Sequence, residues 1–172
     1  MELKVMEHSE KLEKLFELIK KFNESLKFEV VEIGAHPYGE QQERFHILLD
    51  FFPGSKIHAF EIDEEECIKL NKLKKNGLKF YPYALGDKEE KRKFYETNHP
   101  MCSSLYEPNE KLLKLFNNLS VAYLKKITEV NTISLDTFIK REKITSIDFI
   151  KMDIQGAELD VLRGAEKSLK NV

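Results

Sequence analysis

The alternation of β-branched segments with amphipathic segments is the feature that most limits what this chain can fold into. Residues 28–34 (FEVVEIG) and 56–63 (KIHAFEID) have strand character, and the segments after them, residues 41–52 and 63–77, have helical spacing. Asp63 is placed to cap the second helix, and a glycine ends it. Because parallel strands need helical crossovers, the pattern predicts an α/β fold. We expect a Rossmann-like, doubly wound, mostly parallel sheet with helices on both faces.

The second half of the chain extends this pattern. Residues 78–85 (LKFYPYAL) are predicted to form a third strand, and residues 91–97 and 122–135 also alternate with strand period. A polar stretch with a helix-like segment separates those last two strands, and we expect this insertion to approach the ligand edge of the sheet. Residues 146–154 (SIDFIKMDI) indicate a buried strand, and residues 156–172 a final helix. Four apolar residues of that helix are predicted to face inward: Leu159, Val161, Leu162 and Leu169.

Two regions follow from this order of elements. Residues 1–28 are predicted to form an N-terminal helix and lead-in, with Ser9 capping the helix, and residues 29–172 a binding domain. A doubly wound sheet normally continues past such a final helix, so we expect the C-terminal strands of the fold to be missing. Residues 146–154 would then lie at or near an unfinished edge. An open edge is a pairing liability, so we expect it to pair with another copy, to be covered by the N-terminal helix, or to leave the chain unstable.

The composition excludes several classes of partner. The chain has 28 lysines and arginines against 30 aspartates and glutamates, so no overall basic field exists to attract nucleic acid. The longest apolar run is too short to span a bilayer. The two cysteines, Cys67 and Cys102, lack metal-ligand spacing, and the N-terminus lacks the apolar core of a secretory signal. We therefore expect a cytoplasmic protein without a metal site and without nucleic-acid or membrane partners, and the sequence leaves open whether it forms a homo-oligomer.

Acidic and glycine residues stand where the first two strands end. Glu32 and Gly34 come at the end of the first strand, with Gly39 further on, and Glu61 at the end of the second. Ligands of open parallel sheets bind beyond the carboxyl ends of the strands, where glycine lets the backbone approach them. A carboxylate there can accept hydrogen bonds from two ribose hydroxyls, which makes Glu61 the best single candidate for cofactor binding. Gly34 alone suits a plain β-to-α turn equally well.

Taken together, the motifs resemble the FkbM family of S-adenosylmethionine (SAM) dependent methyltransferases. The strand with its acidic end is followed in order by AFE, YALGD, TISLDTF and IDFIKMDIQGAELDVLRGA, from about Val30 to the C-terminus. The block from KMDIQGAE to VLRGA is the most specific part, because a buried strand and helix would leave its polar residues unexplained. Those residues are Lys151, Asp153, Gln155 and Glu158.

The resemblance implies SAM as the cofactor and a role for each matching residue. Glu32, Gly34 and Ala35 would line the methionine portion, with Gly39 in the same loop. Glu61 would hold the ribose, and Ile62 would pack on the adenine. Ala84 and Leu85 would lie on the adenine side of the cofactor, and Asp153 would lie near the sulfonium.

The implied reaction is transfer of a methyl group to a hydroxyl of a small molecule or a sugar. In such a displacement the enzyme chiefly holds the acceptor, and a base helps when the acceptor is a hydroxyl. Asp153, Glu158 and His36 are the candidate catalytic residues, and the sequence leaves the choice open. Ser103 and Ser104, on the insertion, are candidates to contact the acceptor.

Two departures from the family pattern bear on the site. The family's loop usually reads GANxG, whereas Gly34 is followed here by AHPYG. Either the loop carries a one-residue insertion, or Tyr38 occupies a glycine position. Gln155 stands where the family often has Glu, which removes a charge but keeps hydrogen bonding.

Two other classes of function compete with this prediction. An NAD-dependent oxidoreductase would need G-x-G-x-x-G to seat a diphosphate, whereas the loop lacks the second glycine and places Glu40 where a diphosphate would be repelled. The stronger alternative is a degenerate or truncated domain of the same fold that binds SAM, or nothing, without catalysis.

Overall fold

A four-stranded parallel sheet forms the centre of the computed structural model, which describes residues 2–35, 43–73 and 75–172. The strands are β1 (Glu29–Ile33), β2 (Lys56–Phe60), β3 (Leu78–Tyr81), β4 (Ala84–Gly86), β5 (Glu90–Thr97), β6 (Leu124–Ser134) and β7 (Phe149–Met152). The strand order of the first sheet is β3-β2-β1-β7. A second sheet, of order β4-β6-β5, pairs β4 with β6 in parallel and β5 with β6 antiparallel.

Helices connect the parallel strands and flank the first sheet. The α-helices are α1 (Glu2–Phe22), α2 (Leu48–Phe51), α3 (Glu64–Lys72), α4 (Glu110–Leu113), α5 (Leu135–Glu142) and α6 (Glu158–Arg163). The short 3-10 helices are Arg44–Ile47, Pro100–Cys102, Ser120–Ala122 and Ser168–Asn171. As predicted, the Asp63 side chain caps α3 by accepting a hydrogen bond from the Glu66 amide at 3.0 Å.

The two faces of the first sheet are covered by different helices. Phe60 and Tyr81 lie on one face and pack against Phe138 of α5, with ring centroids 4.6 and 4.7 Å away. Ala59 lies on the opposite face, because successive strand residues alternate, and packs in one buried cluster with Cys67 of α3. The predicted α/β fold, with a mostly parallel sheet and helices on both faces, is therefore confirmed.

The N-terminal helix begins earlier than predicted. It starts at Glu2, so Ser9 lies inside α1 and the prediction that it caps the helix is wrong. Phe16 of α1 packs against Phe51 and Phe52, with ring centroids 4.9 and 5.5 Å apart. The helix is therefore attached to the domain through aromatic contacts at α2.

The single third strand predicted over residues 78–85 is instead two strands in two sheets. β3 ends at Tyr81 in the first sheet, and β4 begins at Ala84 in the second, with Pro82 and Tyr83 between them. Proline cannot donate the hydrogen bond that a continuing strand would need. The chain therefore changes sheets at this point.

The predicted inward positions of the last helix are only partly correct. Val161 is buried, but Leu159, Leu162 and Leu169 are exposed. The predicted continuous helix is in fact a six-residue α6 that ends before Gly164, followed by a separate 3-10 helix. Leu159 and Val161 are two positions apart and therefore face opposite sides of α6, while Leu169 lies beyond the end of this helix.

The last strand lies where the sequence placed it. In the described part of the chain, β7 pairs with β1 alone and so forms an edge of the first sheet. What covers this edge stays a prediction. Across the described residues, no helix combines the length and apolar character needed to cross a membrane.

Candidate functional site

A cleft of about 570 Å³ lies at the carboxyl ends of the parallel strands, between the two sheets. Gly34 contributes from the end of β1, Glu61 from the end of β2 and Asp153 from the end of β7. Ligands of open parallel sheets bind at this position. Six of the predicted cofactor residues line the cleft: Gly34, Glu61, Ile62, Ala84, Leu85 and Asp153.

The corner of the cleft at Gly34 requires glycine for two reasons. Its φ of +79° lies in the left-handed region, and a Cβ added there would stand 2.2 Å from the Asp153 carbonyl oxygen. The Asp153 amide donates to the Ile33 carbonyl at 3.1 Å, so the ends of β1 and β7 are held together. Gly34 is therefore the residue that lets the two strand ends meet at the cleft.

Glu61 is held in place by the turn that follows it. Its side chain is buried, and its Oε1 accepts a hydrogen bond from the Asp63 amide at 3.0 Å. The Cys67 thiol donates to the Glu61 carbonyl at 3.3 Å. Burial, together with the nearby negative charge of Glu61, raises the pKa of Cys67 to about 11, so this thiol is protonated. The start of α3 thus orients a buried carboxylate at the end of β2.

The cleft that Glu61 lines also has an apolar wall. Ala84, Leu105 and Ala157 form a buried cluster that is extended by partly buried neighbours. Those neighbours are Ile62, Phe94, Val130 and Ile154. Such a wall suits the flat, apolar faces of an aromatic ring.

The turn after β7 is shaped by two residues with positive φ, Gln155 at +56° and Gly156 at +105°. Gln155 donates to the Asp153 Oδ1 at 3.1 Å, and Glu158 accepts from the Ile154 amide at 3.3 Å. Burial alone would raise the pKa of Glu158, but backbone hydrogen bonds outweigh it and lower the pKa. Glu158 therefore closes the turn as a carboxylate, while Asp153 is exposed on the cleft wall.

Three predicted residues lie apart from the cleft lining. Glu32 is buried and contacts His46, with its Oε2 2.7 Å from the His46 Nε2, so it attaches the 3-10 helix to β1. Ala35 packs in the buried cluster beneath α3. Glu158 is engaged by the backbone as described above. Two further predicted residues, His36 and Gly39, lie outside the described residues.

The second sheet supplies residues that the sequence reasoning missed. Glu96 of β5 lines the cleft, and its Oε1 lies 3.1 Å from both the Lys126 ammonium and the Thr128 hydroxyl of β6. Ser103 and Ser104, which the sequence named as candidates to contact the acceptor, also line the cleft, and Ser103 accepts a hydrogen bond from the Thr97 amide at 3.1 Å. The antiparallel register of β5 and β6 places Glu96 opposite Lys126. The pairing of these two strands is therefore the signal from which Glu96 and Lys126 could have been found.

A buried ionic cluster joins the second sheet to α6. Asp160 accepts hydrogen bonds from Arg92 at 2.6 Å and from the Tyr106 hydroxyl at 2.8 Å. Burial would raise the pKa of Asp160, but these donors outweigh it and lower the pKa. The cluster therefore links β5 to α6. Within the described ranges, no group of three or more His, Cys, Asp or Glu residues has the arrangement of a metal site.

A mostly parallel α/β domain with glycine and an acid at successive strand ends is an arrangement typical of nucleotide-cofactor binding domains. Residues 32–172 match the methyltransferase FkbM domain, and the chain belongs to this family. The chain is 25% identical over 145 residues to the 2-O-methyltransferase NoeI of Sinorhizobium fredii strain NGR234, covering 81% of this chain and 58% of that protein. The crystal structure of methyltransferase FkbM from Methylobacillus flagellatus KT superposes with a TM-score of 0.46 at 17% identity, covering 86% of this chain and 32% of that one. The chain thus spans less than two thirds of the length of either relative.

Proposed function

We propose that this chain is the SAM-binding part of a methyltransferase that methylates a hydroxyl of a small molecule or a sugar. The observation that carries the proposal is the meeting of Gly34, Glu61 and Asp153 around one cleft in a chain of the FkbM family. The 2-O-methyltransferase named among its relatives supports transfer to oxygen.

The polar and apolar groups that line the cleft fit the chemistry of SAM. Glu61 would accept hydrogen bonds from the ribose hydroxyls, and Ile62 with Ala84 and Leu85 would cover the adenine. The Gly34 backbone and Asp153 would lie beside the methionine portion, where a carboxylate favours positive charge. A cleft of about 570 Å³ is within the range of small-molecule and cofactor sites.

The second sheet would bind the methyl acceptor. When bound, SAM supplies a methyl group that is activated by the positive charge on its sulfur. The chain's own part is to hold the acceptor against the cleft and to take up its hydroxyl proton. Ser103, Ser104 and the Glu96–Lys126 pair provide polar groups on that wall.

Among the candidate bases, Asp153 is the one we propose. Glu158 accepts backbone hydrogen bonds, and its pKa is lowered, which makes it a weak base that is already engaged. His36 lies outside the described residues and stays a prediction. Asp153 is exposed on the cleft wall, and its Oδ1 is oriented by the Gln155 amide.

The first experiment tests cofactor binding. Isothermal titration of the chain with SAM, S-adenosylhomocysteine and NAD should give heat with the first two alone. Glu61→Ala should weaken SAM by about 1 to 3 kcal/mol through loss of charge-assisted hydrogen bonds. Glu65→Ala, an exposed acid on the next helix, is the matched control and should bind normally. Heat with NAD and none with SAM would refute the proposed cofactor.

The second experiment tests catalysis. Release of S-adenosylhomocysteine is measured with a panel of sugars and small hydroxylated acceptors. Asp153→Asn should reduce turnover more than SAM binding, because the amide keeps the shape but cannot take up a proton. Binding of SAM without turnover on any acceptor would favour the non-catalytic alternative instead.

A further inference from the structure

Lys151 is a cleft residue to which the proposed function gives no role. It lies on β7, opposite Glu32 in the register with β1, and its side chain is 20% exposed. Its ammonium donates to the Gly34 carbonyl at 3.3 Å and lies 3.3 Å from the Glu43 Oε1. Lys151 therefore presents a positive charge at the glycine corner of the cleft.

The charges around Lys151 are unequally distributed. Among the described residues, the first sheet and its adjoining turns contribute four acids to the cleft lining: Glu43, Glu61, Asp63 and Asp153. Lys151 is the cation on this side in the described part of the lining, because Lys125 and Lys126 stand on β6 across the cleft. A negatively charged group of a ligand on this side would thus meet Lys151 first.

The ammonium retains capacity for another partner. It has three N–H donors, and within the described residues two acceptors, Gly34 and Glu43, lie within reach. The Glu43 side chain is 44% exposed, so its ion pair is weakened by solvent. The Lys151 side chain is more buried than that of Glu43, and partial burial strengthens its interaction with an added anion.

We propose that Lys151 binds the α-carboxylate of the methionine portion of SAM. The inference rests on the proposed function, because it assumes that SAM occupies this cleft. The methionine portion carries a carboxylate as well as positive charges, and the acids of this wall match only the latter. Lys151 supplies the missing counter-charge beside the Gly34 backbone.

A purely structural role would give a different result. If Lys151 only connects β7 to the Gly34 backbone, its removal should change the affinity for every ligand of the cleft by the same factor. As a carboxylate receptor, it would discriminate between ligands that differ only in that group. Decarboxylated SAM provides the comparison, since it keeps the adenosine, the sulfonium and the amine but lacks the carboxylate.

The test is the ratio of the two affinities, measured by isothermal titration. We expect wild-type protein to bind SAM about ten- to a hundredfold more tightly than decarboxylated SAM, the effect of a charge-assisted hydrogen bond. Lys151→Met should bring the ratio close to one by weakening SAM alone. Lys125→Met removes an exposed lysine of the same cleft from the opposite wall, on β6, and should leave the ratio unchanged. Lys151→Arg keeps the charge and should keep the preference.

The outcomes separate the inference from the function on which it rests. An unchanged ratio in Lys151→Met, or equal weakening of both ligands, overturns the carboxylate role while leaving SAM binding intact. Absence of binding of either ligand to wild-type protein overturns the proposed function, and the inference with it. Lys151→Gln is a second neutral variant with a polar head group, and isothermal titration should show the same loss of preference in it. Thermal melting against wild type checks that this variant is folded.

Discussion

Gly34 provides the sharpest test of how the cleft is built, because two physical effects act there together. Alanine at this position would adopt a left-handed φ, and its Cβ would stand 2.2 Å from the Asp153 carbonyl oxygen. Two other glycines separate the effects. Gly54 has a φ of +94° with nothing within 4 Å, whereas Gly164 has an ordinary φ of −74° and a Cβ position 2.1 Å from the Gly86 carbonyl oxygen.

The expected free energies follow from that comparison. Gly54→Ala should lower the free energy of unfolding by about 1 to 2 kcal/mol, the cost of a left-handed alanine. Gly164→Ala should lower it by about 1 to 3 kcal/mol, because the backbone must move to relieve an overpacked contact. Gly34→Ala combines both and should lose about 2 to 5 kcal/mol, close to the sum of the other two.

Urea unfolding, followed by far-UV circular dichroism, measures all three variants against wild type. The transition midpoint should fall while the slope stays constant, since the surface exposed on unfolding is unchanged. Equal losses in Gly34→Ala and Gly54→Ala would refute the reasoning, because the contact with Asp153 would then contribute nothing. A Gly164→Ala variant as stable as wild type would refute the overpacking part separately.

Three further predictions concern ionisable groups. Asp160→Asn should destabilise the fold by about 1 to 3 kcal/mol, because it weakens charge-assisted hydrogen bonds in a partly buried ion pair, as urea unfolding would measure. The folded pKa of Asp160 is lowered, so its stabilisation is present above about pH 4 and lost as the pH falls further. Between neutral and acidic pH, the melting temperature of Asp160→Asn should therefore fall less than that of wild type. An identical dependence on pH in the two proteins would contradict this. Cys67, whose pKa is raised by burial, should resist a thiol reagent at neutral pH while the less buried Cys102 reacts, and equal rates would contradict its burial.

The first half of the fold could be predicted from the sequence because its signals are local. The β-branched residues of β1 and β2, the Asp63 cap and the acid at Glu61 all act within a few residues of chain. Glu61 was placed at the cleft on the same grounds, because parallel strands bring their carboxyl ends to one edge of the sheet.

The second sheet could not be predicted in the same way. Its strands were visible, but their pairing depends on contacts between distant residues, such as Arg92 with Asp160. A polar residue in a helix pattern is expected to face solvent, but Asp160 of α6 is buried, because Arg92 of β5 neutralises its charge. Glu32 was expected at the ligand for its position at a strand end. Its side chain contacts His46 instead, since strand alternation points it toward the 3-10 helix.

The two-residue link between β3 and β4 limits how the cleft can adapt to ligands of different size. Tyr81 ends β3 in the first sheet and Ala84 begins β4 in the second, and three backbone steps between them span at most about 11 Å. At this corner, the short link prevents the two sheets from moving far apart. A larger ligand must therefore be accommodated by changes at the rim, around residues 96–104, while the corner between the two sheets keeps a fixed width. Lengthening the chain between Pro82 and Tyr83 would be the direct route to a wider site.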